Sequence, residues 1–322
     1  ASAAEHPSRI WIFVKLCAPA LACRFTASAS VWRMSDGRER AWRRRHAACA
    51  MLSCAEMIKT GTTCFMDMHM FPAMTASAAD KLGMRAVMTR GLTGSDRNDK
   101  DGIRRYNEHM DERERFKGND RITFKLGPHA IYTCGEDYLR WLIEKAHETE
   151  QEFHIHLSET TTEVQNCYKE RSKSPVEYLN DIGFLDIKTC AAHCVHVSDS
   201  DMDILAEKHV SVIHNPKSNL KLANGTAPIP RMMEKGINVC MGTDSQASNN
   251  DLNLFSDMNF AALLHKGATG CPTVCTAKEV LDFATVNGAK ALGIPDIGSI
   301  EAGKKADIAI LDLDRPQFCP RN

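Results

Sequence analysis

The stretch that decides the fold is residues 153–159, Phe-His-Ile-His-Leu-Ser-Glu. Its apolar residues alternate with polar ones, which is the two-residue period of a β-strand. Because alternate side chains of a strand point to the same side, His154 and His156 share one face. Glu159 follows just after the strand's end. Imidazoles at the C-terminal end of a strand, followed by a carboxylate three residues later, suit a metal site beside a proton carrier.

A lone His-x-His pair also fits a half-buried strand whose histidines are hydrogen-bonded core residues. The rest of the chain has to decide between the two. The whole chain has 322 residues, of which 43% are apolar, enough for one large α/β domain or two ordinary ones. The formal net charge of −1 argues against a general binder of nucleic acid or membrane surfaces.

Charge and cysteine are unevenly used. Residues 1–50 hold nine Lys/Arg against three Asp/Glu, a net charge of +6, which leaves −7 for the other residues. The 13 cysteines include no C-x-x-C pair, so neither a zinc ribbon nor a thioredoxin-type site is indicated. Cys64, Cys190 and Cys240 lie in apolar, strand-like runs, where they are expected to act as small buried hydrophobes. We therefore expect a reducing, cytoplasmic setting.

From residue 47 onward, predicted strands and helices alternate seven times. The predicted strands are 62–68, 85–89, 122–126, 153–157, 189–195, 210–214 and 237–241. Predicted helices separate them, and two long helices follow at 254–265 and 277–292. Such alternation is typical of a parallel sheet with crossover helices.

A doubly wound sheet and a (β/α)8 barrel both fit this order. Neither G-x-G-x-x-G after an early strand nor G-x-x-x-x-G-K-[ST] occurs, so the nucleotide-binding versions lose support. Polar residues end several different strands: His129, His156, His193, His214 and Asp244. A distribution over many strand ends is how a barrel builds an active site. We expect His129, His156, Glu159, His193 and Asp244 to converge at that face.

At this point the sequence resembles the amidohydrolase superfamily, and within it the 5-methylthioadenosine/S-adenosylhomocysteine deaminases and their chlorohydrolase relatives. The resemblance covers about residues 47–316. It rests on these ordered blocks: Glu56-Met57-Ile58, Gly61-Thr62-Thr63 and Asp67; Gly127-Pro128-His129 through Tyr132-Thr133; residues 154–160; Ala192-His193; residues 214–219 with Lys221-Leu222; Gly242-Thr243-Asp244 with residues 247–250; and residues 303–307.

The resemblance implies a role for each matched residue. His156 and Asp244 would bind one divalent metal, usually zinc, with iron as the alternative. Asp244 and His193 would also act on the attacking water, and Glu159 would carry protons to the substrate. His129, Glu159 and, on a looser match, Arg90 would contact that substrate. The resemblance gives His154 no ligand role, so we expect it to be a packed structural histidine, and we extend this to His69, His196 and His214.

The chain departs from the family in its first part. The family carries an H-x-H pair on its first barrel strand, whereas residues 1–50 contain only His6 and His46. We therefore expect a (β/α)8 TIM barrel of the metal-dependent hydrolase type that lacks the first strand and most of the accessory β-sandwich. The expected divisions are an unmatched segment at 1–46, disordered or mispredicted, the barrel at 47–300, and the start of a truncated sandwich segment at 301–322.

Three functions are open. The first is a metal-dependent hydrolytic deaminase of an adenosine-type thioether nucleoside. The second is a triazine-type chlorohydrolase or aminohydrolase, which would share the barrel and the metal. The third is an inactive, truncated amidohydrolase remnant, in which two remaining ligands bind metal weakly. The first two predict a small-molecule partner, a nucleoside or a heteroaromatic amine. They predict no nucleic-acid or membrane partner and leave a homo-oligomer open.

Overall fold

The computed structural model of the chain describes residues 10–11, 14–16 and 36–316. Ten strands lie in this part of the chain and form two sheets. In chain order they are β1 (Ile10–Trp11), β2 (Val14–Leu16), β3 (Cys64–His69), β4 (Arg85–Leu92), β5 (Ile122–Pro128), β6 (Phe153–Leu157), β7 (Thr189–His193), β8 (Ser211–His214), β9 (Asn238–Met241) and β10 (Ala309–Ile310).

Thirteen α-helices fall within the same ranges. They are α1 (Asp36–Lys59), α2 (Pro72–Lys81), α3 (Lys100–Arg115), α4 (Glu136–Thr149), α5 (Thr161–Arg171), α6 (Pro175–Asp181), α7 (Asp199–Glu207), α8 (Pro216–Lys221), α9 (Ile229–Glu234), α10 (Gln246–Asn249), α11 (Leu254–Thr269), α12 (Ala277–Phe283) and α13 (Val286–Leu292). None of these helices combines the length and apolar character that crossing a membrane requires.

The larger sheet contains β2 to β9 in chain order, each paired in parallel with the next. Strands β2 and β9, at its two edges, also contact each other, so the sheet curls toward closure. Helices on the outside and parallel strands in sequential order are the arrangement of a TIM-type barrel. The doubly wound alternative is therefore wrong, and the predicted barrel class is confirmed.

Alternation along the strands divides the core into two layers. Inside the barrel a small apolar cluster contains Met66, Val87, Ala192, Ile213 and Cys240. Residues of the opposite parity pack against the helices in two further clusters. Both faces of each strand are thus buried, as parallel sheets require.

The predicted absence of a first strand is not confirmed. Val14–Leu16 pairs in parallel with Cys64, Phe65 and Met66 of β3, so the sheet has eight strands and not seven. Beneath it, β1 pairs antiparallel with β10, and these four residues are the sandwich-like element among the described residues. The expected boundary at residue 46 falls inside α1. The remaining divisions of the chain stay a prediction.

One predicted helix is two helices. The run 277–292 breaks after α12, where Thr285 has φ −130° and ψ −97° and cannot continue the helix. The second piece, α13, begins beneath β9, where the Asn287 amide donates to the backbone carbonyl of Val239 (2.8 Å). That bond to the barrel redirects the chain, and the apolar periodicity alone did not show it.

Candidate active site

Three imidazoles meet at the C-terminal end of the barrel. His156 ends the inward face of β6, and its ring lies 5.0 Å from that of His129 and 5.5 Å from that of His193, measured between centroids. His129 follows β5 directly, and its Nδ1 is 3.0 Å from the Thr133 hydroxyl. The structure thus brings together three of the residues that the sequence placed at strand ends.

His193 reaches this group through an unusual backbone. Cys190 and Ala192 of β7 face inward, so strict alternation would turn His193 outward toward the helices. His193 has φ +74° and the following Cys194 has φ +45°, both in the left-handed region. This turn places the buried imidazole beside His156, where its Nδ1 lies 2.8 Å from Oδ1 of Asn219. Because Nδ1–H donates there, the neutral ring has its lone pair on Nε2.

Glu159 faces that lone pair. Its Oε2 lies 3.8 Å from Nε2 of His193, and its Oε1 accepts a hydrogen bond from the Asn224 amide (2.9 Å). The buried Glu163 carboxylate holds the loop that carries Glu159. It accepts hydrogen bonds from the backbone N–H groups of Ser158 (3.0 Å) and Glu159 (2.9 Å). A partly exposed carboxylate is therefore held beside a buried imidazole at the mouth of the barrel.

Two of the three imidazoles, those of His129 and His156, favour their neutral forms. Burial, with the neighbouring His156 and His193 rings acting in the same direction, lowers the pKa of His129 to about 3. Burial also lowers the pKa of His156, again with His193 acting in the same direction. The Nδ1–H of His156 donates to the backbone carbonyl of His129 (2.9 Å), which leaves Nε2 as its coordinating nitrogen. Neutral imidazole is the form that binds a metal.

Asp244 completes the predicted set from the loop after β9. It too is left-handed, with φ +58°. Its Oδ2 accepts from the hydroxyls of Ser218 (2.6 Å) and Ser248 (2.8 Å), and its Oδ1 accepts from the backbone N–H of Ser245 (2.8 Å). Asp244 also lies near enough to His156 for its charge to favour the protonated form of that imidazole.

These residues alone do not make up a metal centre. A catalytic zinc site normally has three protein ligands and one open position. Within residues 10–11, 14–16 and 36–316, no group of three His, Cys, Asp or Glu side chains is arranged to hold a metal ion. His156 offers a correctly oriented nitrogen, whereas the Asp244 oxygens already accept three hydrogen bonds. The described residues therefore supply part of a donor set, not a complete one.

Arg90 is not brought to the site. On β4 it has the parity of Met88 and Leu92, which pack in the helix-facing core. Its guanidinium forms an ion pair with Glu108 of α3 and lies 5.5 Å from the ring centre of Phe71. Strand parity thus directs the side chain away from the imidazoles. The predicted substrate contact through Arg90 does not agree with this placement.

Four further histidines, expected to be structural, each have a hydrogen-bond partner outside the group of three imidazoles. His154 is buried, with Nδ1 3.1 Å from a carbonyl oxygen of β7. His214 faces outward, with its Nε2 2.9 Å from Nε2 of His265 on α11. His69 accepts from the backbone N–H of Phe71 (3.1 Å), and His196 donates to a backbone carbonyl in the loop after α8 (2.7 Å). Each of the four has a hydrogen-bond partner that accounts for its position.

The sequence profile of the amidohydrolase family matches residues 46–321. The chain belongs to the amidohydrolase family. The match spans β3 to β10, and with them every strand whose end carries a residue of the candidate site.

Relatives in this family carry related names. The chain is 46% identical over 279 residues to a 5-methylthioadenosine/S-adenosylhomocysteine deaminase of Thermoanaerobacter pseudethanolicus, covering 85% of this chain and 64% of that protein. It is 44% identical over 283 residues to a 5'-deoxyadenosine deaminase of Methanosarcina acetivorans, covering 84% and 63%. The chain therefore spans less than two thirds of the length of these relatives.

A solved structure also agrees with membership of the amidohydrolase family. An adenosine deaminase from Xanthomonas campestris with bound zinc superposes on the amidohydrolase chain with a TM-score of 0.85. The sequences are 28% identical, and the alignment covers 97% of this chain and 74% of the other.

The polar residues that hold the candidate site of this amidohydrolase were not predicted from the sequence. Asn219 and Asn224, in the segment after β8, bond to His193 and Glu159. Ser218 and Ser248 bond to Asp244. The exposed Tyr132 stands edge-on to His129, with ring centroids 5.9 Å apart. The block at residues 214–219 marked part of this segment, but no spacing rule assigns such amides and hydroxyls to their partners.

A cavity of about 640 Å³ lies at the other end of the barrel. It is lined by residues that precede β3 and β4, by the start of α11 and by β10 with the residues beside it, including Thr62, Gly83, Phe255 and Ile310. None of the candidate site residues borders it, so its size carries no information about the chemistry.

Proposed function

We propose that this chain is the barrel part of a hydrolytic deaminase acting on an adenosine-type thioether nucleoside, such as 5-methylthioadenosine or S-adenosylhomocysteine. The observation that carries the proposal is the pair formed by Glu159 and His193. A carboxylate oxygen and an imidazole lone pair face each other at 3.8 Å on the open end of the barrel. The relatives named as deaminases of such nucleosides support the substrate class.

The reaction replaces an amino group by oxygen. Water adds to the ring carbon that bears the amine, the new C–O bond forms, and the C–N bond breaks to release ammonia. Addition to an aromatic carbon needs a proton on the neighbouring ring nitrogen, and the leaving amine needs another. Glu159 accepts one proton from the attacking water and delivers it to the ring nitrogen. It then takes the second proton, from the hydroxyl of the addition intermediate, and delivers it to the amine as the C–N bond breaks. One carboxylate can thus relay both protons, and its partial exposure keeps it within reach of the substrate.

His193 holds the water in this scheme. Its Nδ1–H is committed to Asn219, so Nε2 can only accept a hydrogen bond. A water that donates to Nε2 directs an oxygen lone pair away from the ring, toward the carbon it attacks. His129 lies at the edge of the same group and would contact the substrate ring together with Glu159.

The proposal includes a divalent metal, with zinc as the metal and iron as the alternative. His156 and Asp244 would be the contribution of the described residues to its ligands. Support comes from family membership, the orientation of the His156 nitrogen, and the zinc in the related adenosine deaminase structure.

We also propose a cytoplasmic location. The ten cysteines that the structure describes are all free, which fits a reducing compartment. The sequence leaves a homo-oligomer open, and sedimentation of the purified protein tests for one.

A substrate panel tests the function. The purified chain, supplied with zinc, is offered 5-methylthioadenosine, S-adenosylhomocysteine, 5'-deoxyadenosine, adenosine and a chlorinated alkylaminotriazine, and the release of ammonia, alkylamine and chloride is measured. Ammonia released from the nucleosides, and lost in the Glu159→Gln variant, is the expected result. Chloride or alkylamine released from the triazine alone would replace the proposal with the triazine alternative. No release from any substrate would reject turnover by this chain.

A further inference from the structure

Glu159 needs more than its backbone to act as a proton carrier. Its side chain is long, 17% exposed, and free to rotate about three bonds. The Asn224 amide donates to Oε1 at 2.9 Å. Because an ionised carboxylate can only accept, the orientation of that amide follows from the chemistry. With Oε1 engaged, Oε2 is the oxygen that faces Nε2 of His193.

Asn224 is itself held in place. Its backbone N–H donates to the carbonyl of Asn219 (2.8 Å), and its own carbonyl accepts from Nε2 of His196 (2.7 Å). Its neighbours Ala223 (φ +59°) and Gly225 (φ +112°) are both left-handed, so the chain turns sharply on each side of it. A Cβ at 225 would also lie 3.3 Å from the Val195 side chain, a tight contact at a position whose φ already favours glycine. The amide is thus presented at a fixed point.

The same segment holds the second reacting group. Asn219 lies within hydrogen-bond distance of His193, and the Asn224–Asn219 backbone bond joins the two asparagines. Helix α8 and the turn that follows it therefore fix the imidazole and the carboxylate relative to each other.

We propose that Asn224 is a positioning residue for Glu159. It fixes Oε1, commits Oε2 to proton transfer, and holds that oxygen facing His193. The catalytic consequence rests on the proposed deaminase function, whereas the hydrogen bond can be tested without any turnover.

The first test is spectroscopic and uses the full chain labelled with ¹⁵N-asparagine. The side-chain NH₂ signals of Asn224 are those that disappear in Asn224→Ala. They should shift in Glu159→Ala, because the charged acceptor is gone. The NH₂ signals of Asn119, which donates to Asp80 at 2.8 Å far from the site, serve as the internal reference and should not move. Asn224 signals that are unchanged in Glu159→Ala would overturn the proposal.

The second test is kinetic. A misplaced proton carrier should lower kcat while leaving binding largely intact, because positioned acid–base catalysis contributes about 10²–10⁴-fold. We expect Asn224→Ala to lose about tenfold to a hundredfold in kcat with KM changed less than about threefold. Asn224→Asp should be worse, since it removes the donor and sets a second carboxylate against Glu159. Asn224→Gln, which keeps an amide donor, should recover part of the rate.

Asn107→Ala, on the exposed face of α3, is the matched control and should behave as the unmodified chain. Equal kcat in Asn224→Ala and the control would contradict the positioning role. A chain that releases no ammonia rejects the proposed function, and the spectroscopic result then decides whether Asn224 holds Glu159.

Discussion

Two residues of the site, His193 and Asp244, have backbone conformations that are uncommon outside glycine. Their φ angles of +74° and +58° lie in the left-handed region, which costs roughly 1–2 kcal/mol for a residue with a Cβ. Both lie where a strand has just ended, and both side chains bond to residues of the segment after β8. Strain of this kind persists only where surrounding contacts determine it, and it is concentrated at functional sites.

Glu159→Gln tests the proton carrier at this scale. Glutamine has nearly the same shape and can still bond to Asn224, but it cannot accept and release a proton at neutral pH. We expect kcat for the nucleoside to fall by about 10²–10⁴-fold with little change in KM. Ammonia release from Glu207→Gln, an exposed carboxylate on α7, should match the unmodified chain. A Glu159→Gln enzyme that keeps a tenth of its rate would contradict this assignment.

His156→Ala separates metal binding from proton transfer. The variant loses the imidazole proposed as a metal ligand, whose Nδ1 bonds to the backbone carbonyl of His129 and leaves Nε2 free. Zinc retained after incubation and gel filtration, measured by elemental analysis, should fall in His156→Ala. It should stay at the unmodified level in Glu159→Gln, because that side chain is not a proposed ligand. Equal zinc in all three proteins would place the metal ligands elsewhere in the chain.

At the scale of elements, the sequence was most informative where apolar runs end in polar residues. Strand β6 begins and ends where its alternation predicts, and the seven predicted strands from residue 62 onward all exist. Strand β2 was not predicted because three residues in an apolar stretch without turn signals carry no period. The outward parity of Arg90 could not be predicted either, since both faces of a parallel strand are buried and the pattern does not alternate.

Part of the candidate site could likewise be predicted from the sequence and part could not. His129, His156, Glu159, His193 and Asp244 could be assigned because each comes at or just after a strand end. The groups that fix them come from elsewhere: Asn219 and Asn224 lie 26 and 65 residues along the chain from the side chains they hold. Hydrogen bonds between side chains so far apart have no signature in a single sequence.

Paired glycines on β4 and β5 give a test of packing between elements. Gly91 and Gly127 are partners in the ladder, yet their surroundings differ. A Cβ at Gly127 would lie 2.6 Å from the backbone oxygen of Arg90, whereas one at Gly91 would meet nothing within 4 Å. We expect Gly127→Ala to lower the free energy of unfolding by about 1–3 kcal/mol, since backbone has to move to make room.

Gly91→Ala is the matched control. It should leave stability unchanged or raise it by up to about 1 kcal/mol, because alanine loses less conformational freedom on folding than glycine. Urea denaturation of the two variants beside the unmodified chain measures both effects. Equal denaturation midpoints for Gly91→Ala and Gly127→Ala would contradict this prediction, because they would show that the backbone relieves the contact at 127 without loss of stability.

At the scale of the whole molecule, the candidate site and the buried ion pair that stabilises the barrel lie at different levels along the barrel axis. The candidate site occupies the C-terminal end of the strands, on loops that the helices leave open. Below it, the buried Lys125 lies inside the barrel, where it pairs with Glu152 and donates to the carbonyl of Ala291 (3.0 Å). Separation of reacting groups from groups that stabilise the barrel is the general organisation of this fold.

Buried histidines make the stability of the molecule depend on pH. Burial lowers the pKa of His109, His265 and His69 to about 4, against about 6.5 in an unfolded chain. Between these values the unfolded state binds more protons than the folded state, so the free energy of unfolding falls as pH drops from about 6.5 toward 4. Glu112 acts oppositely, because burial raises its pKa to about 7 and its contribution is lost as pH rises. Burial also raises the pKa of Glu163. These two carboxyls are outnumbered by the buried imidazoles, so we expect acid to destabilise the fold.

His109 isolates this effect in a single residue. It is fully buried, its Nε2 lies 2.8 Å from Oε1 of Gln151, and its ring stands edge-on to Phe124. Glutamine at 109 can keep an amide donor there but does not titrate. From the pKa difference, the loss of stability between pH 7 and 4.5 should be smaller by about 2 kcal/mol in His109→Gln than in the unmodified chain. His147→Gln, on the exposed side of α4, should keep the full loss. Chemical denaturation at the two pH values measures the free energy of unfolding of each protein. An equal loss in all three would mean that His109 binds its proton as readily in the folded state as in the unfolded state, against this prediction.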